Sequence, residues 1–477
     1  MLALNVDVDP GRCRTLGFVG AVAIMAGGLT AGALPVREEF VPTSGRVALG
    51  LLCVYFGIVL LIAAWWWLGR SVRGPRPPAP RELTTTLLVW AAPLVLGPPL
   101  FSRDVYSYLA QGAMVHSGID VYSHGPDRLG GPLAAEVAPV WRHTPAPYGP
   151  VFLAVAGKAA GLARLDVPAG VLGMRLVALL GVALMIAVLP TLARRCGVDP
   201  SAALWLGALN PLVLLHLVAG AHNDALMLGL LGLGLVAALG ARPVPATVLI
   251  ALAALVKAPA ALGLLTVAAL WAGQLTGRAR TLRALALTCA VALATTAAVT
   301  ALAGTGYGWL GALGTPVSAG NWSLTSGLGR LSGMLLDATG SGLGHFALPL
   351  WRLLGVLATA AVVVTLWLRR ERTGVVHALA LGLLTLFALG PALRPWYALW
   401  GLFLIAVSAP PGRLRRWAAA GSGVLALGLL PDGLPPGGLQ LALAICGGIL
   451  ALLALWWMFL LAPADTTLAA PLPRTAS

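Results

Sequence analysis

Apolar runs of about twenty residues recur along this chain, with arginine gathered in the short stretches between them. That pattern leaves few folds open. Inside a bilayer every backbone N–H and C=O must be satisfied internally, so only helices and closed barrels can cross it. The runs here are continuous rather than alternating, which selects helices. Composition agrees: 59% of the 477 residues are hydrophobic and 10% charged, with mean hydropathy +0.89, whereas soluble domains carry about 25% charged residues. The expected fold is therefore an all-α, polytopic transmembrane helical bundle of roughly 12–14 spans. A net charge of +15 would point to nucleic acid in a soluble chain. Here the arginines lie in short loops, where they set topology, so the expected partner is the lipid bilayer and not nucleic acid. Cys13, Cys53, Cys196, Cys289 and Cys446 are scattered singly. They support neither a disulfide framework nor a metal site.

The runs also order the chain. The first, about 15–34, ends in Ala31-Gly32-Ala33, a small-residue sequence like those at signal-peptide cleavage sites, but it is longer than a typical signal core and reads as a retained span. A second, about 47–68, ends in Trp65-Trp66-Trp67 and is followed by Arg70, Arg73, Arg76 and Arg81. The positive-inside rule places that linker in the cytoplasm. A third run, about 83–101, then delivers the chain outward, so residues 102–148 form a long extracytoplasmic loop, whether or not the first run is cleaved. Residues 148–164 read as an interfacial or re-entrant helix. Later returns inward meet Arg194-Arg195, Arg242, then Arg278, Arg280 and Arg283, and a second outer stretch covers 304–345. The division is two N-terminal helices and a basic linker (1–82), a catalytic transmembrane core (83–303), the second outer loop (304–345), then C-terminal helices and a short tail (346–477). Both chain ends are expected inside.

Only sixteen acidic residues occur, and an acid at a membrane boundary is costly enough to need a role. Asp104, just beyond the third run, is a candidate general base toward a hydroxyl. It could equally cap a helix or pair with Arg103. His222-Asn223-Asp224, at the outer start of an apolar run, can hydrogen-bond a sugar or orient a phosphate-binding cation; Asn and Asp are also ordinary N-caps. Lys257, beside Pro259 and without an acidic neighbour in sequence, and Arg394, before Pro395-Trp396-Tyr397, are cations suited to a phosphate. Snorkelling or anchoring at the interface is the alternative for both. Tyr106, Tyr108, Tyr122, Trp141 and Tyr148 crowd the first outer loop and, with Trp322, Trp396 and Tyr397, offer faces for sugar rings. Interfacial belts use the same residues. The loop histidines His116, His124 and His143 lack metal-ligand spacing, so no metal site is assigned.

Five segments, SRDVYSYLAQGAMVHSGIDVY, WRHTPAPYGPVF, NPLVLLHLVAGAHNDALMLG, LVKAPA and LRPWYALWGL, span most of 102–402. In that order they resemble the actinobacterial polyprenyl-phosphate-mannose-dependent α-(1→6)-mannosyltransferases of the MptA/MptB type, within the GT-C superfamily of membrane glycosyltransferases. The resemblance implies a multi-pass protein of the plasma membrane, a polyprenyl-phosphate-mannose donor used on the outer face, and a glycan or lipoglycan acceptor such as a growing lipomannan. It also implies a loop aspartate as base, a role that falls on Asp104. The chemistry is consistent: a polyprenyl phosphate is already a good leaving group, so one base and one or two cations suffice where glycoside hydrolysis needs paired acids. No nucleotide cofactor is expected, and metal dependence stays open. The rival reading is a transporter or lipid-linked-sugar flippase, with Lys257, Asp224 and Arg394 lining a pathway; the chain shows no internal repeat of the kind such proteins often carry.

Overall fold

The computed structural model describes residues 9–35, 44–317 and 321–461; the C-terminal tail expected beyond 461 lies outside them. Every regular element in these residues is a helix. Six are long and apolar enough to cross a bilayer: α1 (Pro10–Ala31), α2 (Ser44–Val72), α6 (Val167–Arg195), α11 (Arg280–Ala303), α13 (Gly344–Leu368) and, through Gly438–Met458, α17 (Gly438–Leu461). The remainder are shorter. α3 (Pro80–Leu96), α4 (Asp104–His116), α5 (Pro150–Leu162) and α7 (Pro200–Gly207) lead to a π-helical segment, Val213–Ala219, and then to α8 (Asp224–Leu239). α9 (Pro243–Ala254), α10 (Gly263–Ala272), α12 (Leu324–Ala338), α14 (Val375–Leu389), α15 (Ala398–Ser408) and α16 (Arg413–Ala426) complete the bundle.

The all-α polytopic architecture is thus present: among the described residues six helices are long and apolar enough to cross a bilayer, or seven if the π segment and α8 count as one span bent by 108°, and five shorter apolar helices accompany them. A helix buried on all sides inside a bundle is as apolar as one facing lipid. In α15, for instance, Ala398 to Val407 are all buried although the helix is only 11 residues long. The continuous apolar run at 202–219 does not form one helix. It breaks instead at Asn210-Pro211, where the Asn210 side chain accepts from Leu212 N at 2.9 Å and donates to the Leu206 carbonyl at 3.1 Å. The segment 148–164 yields the 13-residue α5, too short to span.

Helix contacts use small residues. α1 crosses α2 where a Cβ on Gly20 would meet the Gly57 carbonyl at 2.7 Å, so the two backbones approach as only small residues permit. Trp65 of α2 and Trp205 of α7 stack at 5.0 Å, and each indole N–H donates to the other's carbonyl, at 3.0 and 2.8 Å. Most relevant to function is Arg175 of α6, which is 5% exposed and donates to the carbonyls of Val95, Gly97 and Ala219 at 2.7, 2.6 and 3.3 Å. Its charge meets the carbonyl-rich ends of α3 and the π segment. Both chain segments entering the site are thereby pinned to one cation.

Candidate active site

The stretch 102–148, read as a loop, begins with a buried helix. α4 starts at Asp104, where the Ser102 hydroxyl accepts from the Asp104 N–H at 3.0 Å. Asp104 is therefore not the cap. Nor does it pair with Arg103, whose guanidinium turns to Glu136 at 3.2 Å and to the Leu34 carbonyl at 2.9 Å. The Asp104 carboxylate is left 19% exposed in the wall of a cleft, with Trp141, Tyr148, Arg394 and Tyr397 around it. Burial raises the pKa of this carboxyl above the usual carboxylate value, and Arg394 supplies the largest opposing effect, followed by Lys257.

Behind Asp104 stands His222, fully buried, its Nδ1 3.7 Å from the carboxylate and 3.1 Å from the Tyr108 hydroxyl. The His222 ring stacks on Trp396 at 3.9 Å. The bend that delivers it runs through Ala221, held at φ +53°, a region that a residue with a Cβ rarely occupies. Asn223 occupies the N-cap position of α8 without a side-chain capping bond; it approaches Tyr108 at 3.5 Å instead. Capping does not account for this constellation. The buried atoms His222 Nε2, Asn223 Nδ2 and Trp396 Nε1 have no hydrogen-bond partner.

Lys257 and Asp224 change meaning together. Thirty-three residues apart, they form a buried ion pair at 2.7 Å, and the second Asp224 oxygen accepts from the Trp400 indole at 2.6 Å. The lysine also sits over Tyr397 at 4.7 Å and Trp400 at 5.8 Å. The premise that Lys257 lacks an acidic partner is therefore corrected. Arg394, half-buried in the cleft wall with its guanidinium 5.5 Å from the Trp141 ring centre, is the cation that faces the open space with Asp104.

The aromatic candidates divide. Trp141, Tyr148 and Tyr397 line the cleft, and Tyr108 and Trp396 support it from behind. Tyr106 is turned away, its hydroxyl donating to the Ala33 carbonyl at 2.6 Å, and Tyr122 donates to the Tyr148 carbonyl at 2.9 Å. Trp322 is 83% exposed and lies against Arg330. Three residues that the sequence reading passed over belong to the site: Ser107 and Gln111 of α4, which line the cleft, and Trp400. The first two lie on the Asp104 face at helical spacing, a signal legible only once 104–116 is known to be a helix. Among the described residues no three His, Cys, Asp or Glu side chains converge as metal ligands.

This geometry sits within segments shared with known proteins. Residues 14–273 match the N-terminal domain of the MptA/MptB family, described as alpha-(1->6)-mannopyranosyltransferase, and residues 325–460 match the MptB C-terminal domain. The chain belongs to this family. It is 37% identical to alpha-(1->6)-mannopyranosyltransferase A of Mycobacterium tuberculosis, over 87% of this chain and 83% of that protein. It is 33% identical to alpha-(1->6)-mannopyranosyltransferase B of Corynebacterium glutamicum, over 93% of this chain and 81% of that protein. No solved structure matches the chain. Membership of the MptA/MptB family makes it a mannosyltransferase, a glycosyltransferase of the membrane whose reaction joins a sugar donor to a glycan acceptor.

Proposed function

We propose that this chain is a GT-C enzyme that transfers mannose from a polyprenyl-phosphate-mannose donor to a mannan or lipomannan-type acceptor, forming α-(1→6) linkages with inversion on the extracytoplasmic face of the plasma membrane. The observation that carries the reading is the pairing, in one cleft, of a half-buried carboxylate, Asp104, with a cation, Arg394, among aromatic walls. Asp104 takes the proton of the acceptor hydroxyl as that oxygen bonds to the anomeric carbon. The bond from that carbon to the phosphate oxygen breaks with its electron pair on the leaving polyprenyl phosphate, whose charge Arg394 meets. His222 stands behind the carboxylate at 3.7 Å, and Lys257, engaged with Asp224, acts on the phosphate only through the field it adds to the cleft.

A lipid-linked donor finds support in a second feature. An apolar groove of about 330 Å³, lined by Leu255, Leu264, Leu285, Cys289, Leu293 and Trp309, opens between α9, α10 and α11. Among the described residues none lines both spaces, but the chain links them: the Leu255 carbonyl accepts from Phe152 N at 3.4 Å, four residues beyond Tyr148, and the helical turn Gly308–Gly314 leads from Trp309 to the cleft residues Thr315 and Pro316. A prenyl chain in the groove and its sugar phosphate in the cleft fit this arrangement.

The test is transfer of labelled mannose from polyprenyl-phosphate-mannose by membranes carrying this chain, with a panel of mannoside acceptors. Asp104→Asn should keep expression and lower turnover by about 10²–10⁴-fold, the range for loss of a general base. Movement of the donor across the bilayer without transfer would support a flippase instead.

A further inference from the structure

α4 carries three polar side chains on one face, Asp104, Ser107 and Gln111, at positions i, i+3 and i+7. The two tyrosine hydroxyls of this helix are engaged by the protein, by Ala33 and by His222. Ser107 and Gln111 differ. Both are 4% exposed, both line the cleft beside Asp104, and Ser107 Oγ and Gln111 Oε1 have no hydrogen-bond partner. A helical serine in an apolar setting ordinarily bonds back to the carbonyl four residues before it, as Ser332 and Ser422 do here at 2.7 and 2.8 Å. Ser107 makes no such bond. A buried polar atom without a partner is expensive, so two of them in a cleft wall, aligned with the base, call for a ligand that supplies the missing partners.

We infer that Ser107 and Gln111 form, with Asp104, a subsite that reads the hydroxyls of the acceptor hexose. Hydroxyls both give and accept hydrogen bonds, as a serine hydroxyl and a primary amide do. The acceptor is favoured over the donor sugar because the base must touch the acceptor hydroxyl, and the stripe continues from that base for about 10 Å along α4 at 1.5 Å per residue. Arg394, which would hold the donor phosphate, enters from a different element. The inference rests on the proposed reaction for its geometry, but its binding claim can be judged without turnover.

The experiment uses the full chain in lipid nanodiscs with an α-(1→6)-linked mannobioside and its monodeoxy analogues. The wild type should discriminate against one or two of the deoxy compounds by about 5- to 150-fold, the consequence of leaving a buried polar group unpaired. Gln111→Met and Ser107→Ala should each lower kcat/KM for the intact mannobioside by a similar factor, abolish discrimination at one ring position, leave the donor KM unchanged, and keep the thermal midpoint. A merely structural role would lower that midpoint and leave the deoxy profile intact, and either that result or a loss confined to donor KM overturns the subsite. Saturation-transfer NMR of the mannobioside without donor separates the two readings. Should no transfer from a prenyl-phosphate donor occur, the reaction fails, while Gln111-dependent mannobioside binding still upholds the subsite and binding unchanged in Gln111→Met overturns it.

Discussion

A carboxylate in a half-buried cleft is a base whose strength is set by competition between burial and nearby cations. For Asp104 burial prevails, so its proton is held more tightly in the folded chain than at the usual value near 3.9. Two consequences follow with the same sign. The acid limb of the pH profile of kcat/KM should lie above that value and disappear in Asp104→Asn. The ionised carboxylate also costs stability, a cost that grows as pH rises from about 3.9 through the folded value, so Asp104→Asn should melt no lower than wild type at neutral pH. Asp120, exposed and already accepting from Ser123 at 2.6 Å and Tyr122 N at 2.9 Å, is no rival base. The two cations should separate by readout. Lys257→Ala strands the buried Asp224 carboxylate and should lower stability by about 3–5 kcal/mol, seen in thermal melts. Arg394→Ala should leave stability near wild type and weaken donor use by about 1.5–3 kcal/mol, the loss of a charge-assisted hydrogen bond, with acceptor affinity spared. Asp104, His222 and Arg394 were legible in sequence because charge at the end of an apolar run stands out. The Lys257–Asp224 pair was not, since 33 residues separate its members and only the packing of α8 against the turn Ala258–Leu262 brings them together.

At the scale of elements, the site depends on how closely α8 lies on α6. A Cβ on Gly181 would collide with the backbone of Ala225 and Leu226, which directly follow Asp224 and lie about one turn from His222 and Asn223. Gly181→Ala should therefore cost about 1–3 kcal/mol through overpacking and depress turnover, because the element that moves carries the Asp224 anchor. Gly173, on the same helix, provides the control: its added Cβ would find only Ala159 at 3.5 Å, an ordinary contact. Gly173→Ala should be neutral or slightly stabilising, given the helix propensity of alanine, and thermal melts with single-turnover rates distinguish the pair. Element boundaries were readable for α1, α2 and α11, where apolar runs end in charged or Pro/Gly punctuation. They were unreadable at 104–116, where Ser, Tyr and Gln lower the mean hydropathy of a helix that is nonetheless buried. They were half readable at 202–219, where Asn210-Pro211 marks a break inside a continuous apolar run.

For the whole molecule, the proposed function turns on the relation between the polar cleft and the apolar groove, since a lipid-linked donor would occupy both at once. The sequence could not disclose the groove. Its lining residues come from α9, α10, α11 and the turns Ala258–Leu262 and Gly308–Gly314, and each alone reads as an ordinary lipid-facing position. One of them, however, is a reporter. Cys289 is exposed on α11 within the groove, whereas Cys446, also exposed, lies on α17 away from it. If the groove takes the prenyl chain, polyprenyl phosphate should slow alkylation of Cys289 by a lipophilic maleimide in nanodiscs while Cys446 reacts at its unliganded rate. Mannose 1-phosphate, which carries the sugar phosphate without the chain, should protect neither. Quantifying both adducts by peptide mass spectrometry makes Cys446 the internal standard for membrane partitioning of the reagent. Equal labelling of Cys289 with and without polyprenyl phosphate, at concentrations that saturate mannosyl transfer, would place the chain elsewhere on the protein and leave the groove as packing against bilayer lipid.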